Sequence, residues 1–162
     1  MAKLNILKES EPLLRKKSRE VEAITPKILT LLDDMTETMR AANGCGLAAP
    51  QVGILRRVVV IEVEDGVVYE MINPIITKKD GEQEEIEGCL SVPGKYGITH
   101  RPMTVTVRYT DRNGKICELT GSELLGRAIC HETDHLEGVL FTDHALRILT
   151  PEELAEMTED DE

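Results

Sequence analysis

The chain has 162 residues, 41% of them hydrophobic and 30% charged, which fits one domain able to bury an ordinary core and leaves no apolar run long enough to span a membrane. A formal net charge of −11 disfavours broad, non-specific nucleic-acid binding while leaving room for a small basic docking patch, and three tyrosines, one phenylalanine and no tryptophan make base-stacking platforms a poor fit. The opening stretch MAKLNILKESEPLLRKK has neither the apolar core nor the cleavage site of a secretory signal, and its acidic residues argue against a transit peptide, so a soluble cytoplasmic protein is expected.

Thr25-Pro26 reads as a helix N-cap followed by proline at the first helical position. Ile28, Leu31, Leu32, Met35, Met39 and Ala42 then recur at helical spacing until Asn43-Gly44 supplies a stop. RRVVVIEV and VVYEMI, on either side of Asp65-Gly66, read as a β-hairpin, and MTVTVRYT and KICELT, joined through Asn113-Gly114, as a second. Thr120 with Glu123 three residues later forms a capping-box pattern that opens a second helix, expected to stop near Gly138. PEELAEMTEDDE begins as a short helix and frays into an acidic tail, so that residues 147–162 form a short C-terminal segment, partly disordered. The order predicts one catalytic α+β domain over residues 1–162, with antiparallel β-sheets packed around the second helix and an amphipathic helix near the N-terminus.

That second helix carries HETDH (131–135), an H-E-x-x-H pattern. Each helical residue advances about 100°, so His131 and His135 lie only about 40° apart and can grip one ion. Glu132 lies on the same side, placed to serve as general acid/base. Asp134 lies to the other side of His131 and reads as a hydrogen-bonding group rather than a ligand. A metal needs a third protein ligand. The extended metzincin pattern fails, because Phe141 stands where its last histidine belongs. A thermolysin-type glutamate from Glu152, Glu153 or Glu156 is the weaker option, given how little chain remains to support it. The four cysteines form no C-x-x-C pair. Cys130 points away from the histidines and reads as core, and Cys117 as part of a strand. Cys45 and Cys89 both sit in glycine-containing loops that can present a thiolate, and spacing does not choose between them.

GCGLAAPQ (44–51), EGCLS (87–91) and HETDH, in this order, closely resemble the three signature motifs of the peptide deformylase family. The likeness extends to PLLR near the start, INP (72–74) and LEGVLFTDH after the histidines, and thins beyond about residue 146. The resemblance implies a metal-dependent hydrolase that removes the N-formyl group from the formylmethionine of new polypeptides and releases formate. It makes Cys89, His131 and His135 the metal ligands, with ferrous iron as the native ion and zinc or nickel as substitutes. It places the Gln51 side chain and the Leu90 backbone N–H beside the developing oxyanion, and the peptide as an extended strand between Gly44, Cys45 and Gly46 on one side and Gly88 on the other. Leu124 and Ala128, on the helical face of His131, are candidates for the methionine pocket, and Glu87 is expected to pair with Arg101 and fix the loop bearing Cys89. Cys45 stands where the family usually has isoleucine or valine, and Cys130 where it usually has glutamine. The acidic C-terminus does not resemble the basic docking helix of some relatives, so the expected partners are N-formylmethionyl peptides and at most a transient ribosome contact, with no membrane and no specific nucleic acid.

Overall fold

Val58, Val59, Val60 and Ile61 are all fully buried, although alternate residues of a strand point to opposite faces. A helix on each side explains this. The computed structural model describes residues 3–160, and their side chains as far as residue 156. In chain order it contains α1 (Pro26–Ala41), β1 (Gly46–Ala48), β2 (Val58–Ile61), β3 (Tyr69–Asp80), β4 (Gln83–Cys89) and β5 (Val92–Arg101). There follow β6 (Thr104–Thr110), β7 (Ile116–Ser122), α2 (Leu124–Leu136), β8 (Arg147–Ile148) and α3 (Pro151–Asp160).

Five strands form one antiparallel sheet in the order β1-β2-β3-β6-β7, and three form a second in the order β4-β5-β8. On one face of β2, Val58 and Val60 pack with Leu31, Leu32, Met35 and Met39 of α1. On the other, Val59 and Ile61 pack with Ala128, Ile129, Cys130 and Leu136 of α2. This double burial is why the strand reads as a continuous apolar run rather than an alternating one. β1 and β4 are both edge strands, and the space between their free edges is where the site lies.

The expected order of elements is present, with three differences. Pro26 starts α1, and Asn43, at φ 57°, turns the chain out of it, but the Thr25 side chain makes no capping hydrogen bond. The capping box of Thr120 and Glu123 does not form. Thr120 stays in β7 opposite Thr106, their hydroxyls 2.9 Å apart, and the ladder holds the chain extended to Ser122, so α2 starts at Leu124. Cross-strand pairing outcompetes the local cap. Cys89 is the last residue of a strand rather than part of a loop, and β4 and β5, like β1, went unread. Near the other terminus α3 runs helical to Asp160, and the expected fraying of the tail falls partly on residues 161 and 162, outside the described residues. No described helix is long and apolar enough to cross a membrane.

Candidate metal centre

Two turns of α2 and the end of β4 meet at three side chains. His131 and His135 present their Nε2 atoms to each other at 3.2 Å, and Cys89 Sγ lies 3.3 Å from His135 Nε2. Cys89, His131 and His135 offer ligand atoms that all lie within 4.8 Å of one another, the one such group among the described residues. The donor set fits a divalent ion. Burial lowers the pKa of His135 well below its ordinary value, keeping it neutral as a ligand must be, and its Nδ1 is buried without a partner among the described residues. His131 meets Glu87 Oε1 through Nδ1 at 2.5 Å, which leaves Nε2 for the cluster. Burial alone would lower the pKa of His131; the Glu132 charge and the hydrogen bonds to Cys89 and Glu87 outweigh it and raise the value.

Glu132 is 4% exposed, and its Oε1 has no hydrogen-bond partner among the described residues. Burial pushes its pKa up to about 7. A Cβ at Gly46 would collide with Glu132 Oε2, so glycine is required there by close approach and not by backbone conformation. Similarly, a Cβ at Gly44 would lie 2.6 Å from Leu90 Cδ1, and one at Gly88 2.8 Å from the Tyr96 ring.

Gln51, 1% exposed, has its amide orientation fixed by its neighbours. Its Oε1 accepts from the Ala48 backbone N–H at 2.9 Å, so the NH2 group must face the other way. There it donates to Ser91 Oγ at 3.0 Å and lies 3.6 Å from Cys89 Sγ. Behind the ligands, Arg101 donates to both carboxylate oxygens of Glu87, at 2.7 and 3.2 Å, and to Asp134 at 2.6 Å. Thr99 Oγ1 adds a 2.6 Å bond to Glu87. Burial opposes ionisation of Glu87, yet the hydrogen bonds from His131 and Arg101 hold its pKa well below the usual carboxylate range.

A cleft of about 410 Å³ opens onto this cluster. Gly44, Cys45 and Gly46 line one side and Gly88, Cys89 and Leu90 the other, while Leu124, Ala128, His131 and Glu132 form the wall on α2. His135 is fully buried behind it and Arg101 supports from the rear. Cys130 lies in the core against the sheet, and Cys117 lies on β7, with no part in the cluster. Glu153 hydrogen-bonds around Thr150 and pairs with Arg147, and neither it, Glu152 nor Glu156 joins the ligand group. Sequence reasoning missed Ser91, Thr99 and Arg127. Ser91 ends the EGCLS motif and was open to notice; Thr99 carries no local signal, because only the β4–β5 pairing brings it to Glu87.

A family model described as polypeptide deformylase matches residues 3–150. The peptide deformylase of Caldanaerobacter subterraneus subsp. tengcongensis is 54% identical over 154 residues, covering 95% of this chain and 96% of the relative. That of Alkaliphilus metalliredigens is 57% identical over 139 residues, covering 86% and 94%. Among solved structures, a peptide deformylase from Legionella pneumophila superposes with a TM-score of 0.86 at 38% identity, covering 98% of this chain and 97% of that one. One from Synechococcus elongatus, in complex with actinonin, gives 0.85 at 39% identity, covering 97% and 85%.

Proposed function

The chain belongs to the polypeptide deformylase family, and from that premise we propose that Cys89, His131 and His135 hold its divalent ion and that Glu132 is its general acid/base. As a member it is a metal-dependent hydrolase that removes the N-formyl group from the N-terminal formylmethionine of newly synthesised polypeptides and releases formate. The convergence of one thiol sulfur and two imidazole nitrogens is the observation that carries the ligand assignment. Ferrous iron is the proposed physiological ion, with zinc or nickel able to substitute, since one thiolate and two imidazoles suit several metals.

When bound, the ion supplies Lewis acidity and a water of lowered pKa. Glu132 then takes a proton from water and delivers it to the departing amine, work suited to a carboxyl that burial brings to about pKa 7. The Gln51 NH2 group, aimed toward Cys89 by the Ala48 bond, and the Leu90 backbone N–H donate to the oxygen charge that develops on the formyl group. An amide suits that place because a carboxylate would oppose the charge. The peptide lies extended between the free edges of β1 and β4, held through the backbone around Gly44, Cys45, Gly46 and Gly88, a mode indifferent to side chains. Its methionine side chain rests against Leu124 and Ala128. Glu87 and Arg101 act from behind, orienting His131 and the end of β4.

The whole chain is proposed to work as a single catalytic domain in the cytoplasm, with only transient contact with the ribosome, because α3 carries Glu152, Glu153 and Glu156 rather than a basic face. Formate release from a formyl-Met tripeptide, measured beside metal content for the wild type and for Cys89→Ala, tests the assignment. Loss of both metal and activity is expected; a Cys89→Ala protein that keeps both would place the third ligand elsewhere.

A further inference from the structure

Arg127 stands on the wall of the same cleft, and none of the chemistry above uses it. It precedes His131 by four residues, one turn of α2, or about 6 Å along the axis. Its Nη1 donates to Gln83 Oε1 at 2.8 Å. Gln83 is buried and cannot turn away, because its Nε2 is bonded to the Pro102 and Glu123 carbonyls at 2.9 and 3.0 Å. Arg127 is therefore fixed in place by a neutral group.

A guanidinium has five N–H donors, and this one commits a single donor to the described residues. No carboxylate among the described residues pairs with it, whereas the cleft's other cations are occupied or set back. Lys95, at the mouth, is paired with Glu9 at 3.0 Å, and Arg101, behind the ligands, holds both Glu87 and Asp134. The chain as a whole carries −11 and repels acidic peptides, so a half-buried, unpaired arginine in the cleft has a local effect opposite to that of the surface.

We propose that Arg127 is a specificity-determining residue that reads a carboxylate of the substrate, so that formylated peptides with aspartate or glutamate at the second or third residue are favoured over neutral or basic ones. An extended peptide advances about 3.3 Å per residue, so one helical turn from His131 corresponds to the second or third residue. The inference rests on the deformylase reading and on the peptide path between β1 and β4. A planar guanidinium offers a carboxylate two parallel hydrogen bonds, and a partly solvated pair of this kind is worth about a three- to tenfold preference.

The test compares formyl-Met-Glu-Ala with formyl-Met-Gln-Ala and formyl-Met-Lys-Ala, and the same three residues at position three, by formate release at low salt with the metal-loaded wild type, Arg127→Gln and Arg127→Lys. Glutamate should be favoured over glutamine by about three- to tenfold at one of the two positions, chiefly through KM, and the preference should shrink in about 0.5 M salt. Arg127→Gln should erase it and Arg127→Lys keep part of it. Calorimetric affinity for the unformylated products Met-Glu-Ala and Met-Gln-Ala, or their position-three counterparts, reads the same discrimination without turnover. Equal treatment of glutamate and glutamine at both positions, or a ratio unchanged in Arg127→Gln, overturns the inference while leaving deformylation standing. Absence of formate from every peptide would instead sink the functional reading, with the product affinities still deciding the role of Arg127.

Discussion

Arg101 and Arg112 are each held by a glutamate that accepts two hydrogen bonds and an aspartate that accepts a third. Arg101 takes Glu87 and Asp134; Arg112 takes Glu70 at 2.7 and 2.8 Å and Asp33 at 2.6 Å. The residue types and the distances nearly match, but the surroundings do not. The side chains of Arg101 and Glu87 are 6% and 7% exposed and lie against His131, while those of Arg112 and Glu70 are 36% and 21% exposed and tie α1 to β3. In the first cluster Arg101, Glu87 and His131 are desolvated together, with Asp134 at the partly exposed end, so each buried member depends on the others to offset its loss of hydration. In the second, water and salt can replace any partner that is removed. A list of ion pairs would rank the two as equals; burial separates them, and it is the buried one that orients a proposed metal ligand.

The largest expected difference comes from removing the arginine from the buried cluster. Arg101→Ala leaves Glu87 without its counter-charge in the interior and should cost about 3–5 kcal/mol of folding stability. It should also loosen metal retention, because Glu87 would no longer be held in place to orient His131. Urea denaturation together with metal analysis after dialysis reads both effects, and unchanged metal content would show that the cluster serves folding alone. Glu132→Gln gives the complementary outcome. It removes the proposed acid/base without touching Arg101 or Glu87, so formate release should fall by about 10²–10⁴-fold while stability and bound metal stay near wild type. If Glu132→Gln lost metal as Arg101→Ala is expected to, the division between a supporting cluster and a reacting group would break down.

Exchanging arginine for lysine sharpens the comparison at smaller amplitude. Lysine keeps the charge but cannot bridge two carboxylates with a rigid fork. Arg101→Lys should therefore still destabilise by about 1–3 kcal/mol, leaving a buried oxygen of Glu87 short of a donor, whereas Arg112→Lys should stay within about 0.5 kcal/mol. Matched penalties in the two urea curves would mean that fork geometry, and not burial, governs both clusters.

The same contrast explains what could be read from the sequence. α1 was legible because Leu31, Leu32, Met35 and Met39 recur at helical spacing, and both hairpins because a turn dipeptide separates two β-rich runs. The three motifs were legible as a resemblance, and the structure brings Gln51, Cys89, His131 and Glu132 to one cleft. What stayed hidden depends on partners distant in sequence. β4 reads QEEIEGC, too charged to look like a strand until it is paired with β5. Thr120 has the local pattern of a cap, but Thr106 across the ladder claims its hydroxyl. Local chemistry predicts what a residue is able to do, and the sheet pairings decide which option it takes.

The smallest expected effect is the most demanding check on the comparison. Arg112→Ala removes a charge that bonds Glu70 and Asp33, so three hydrogen bonds are lost, as they are in Arg101→Ala. Partly exposed partners regain water when the arginine leaves, and the Coulomb energy given up was already screened, so the loss should be no more than about 1 kcal/mol. It should also shrink as ionic strength rises past the point where the Debye length falls to about 8 Å, whereas the Arg101→Ala penalty should hardly respond. Metal content and formate release should match wild type, because Arg112 touches neither the cleft nor its supports. A salt-insensitive loss of several kcal/mol would mean that Arg112 locks α1 onto β3 cooperatively, and exposure would then be a poor guide to the weight of an ion cluster in this fold.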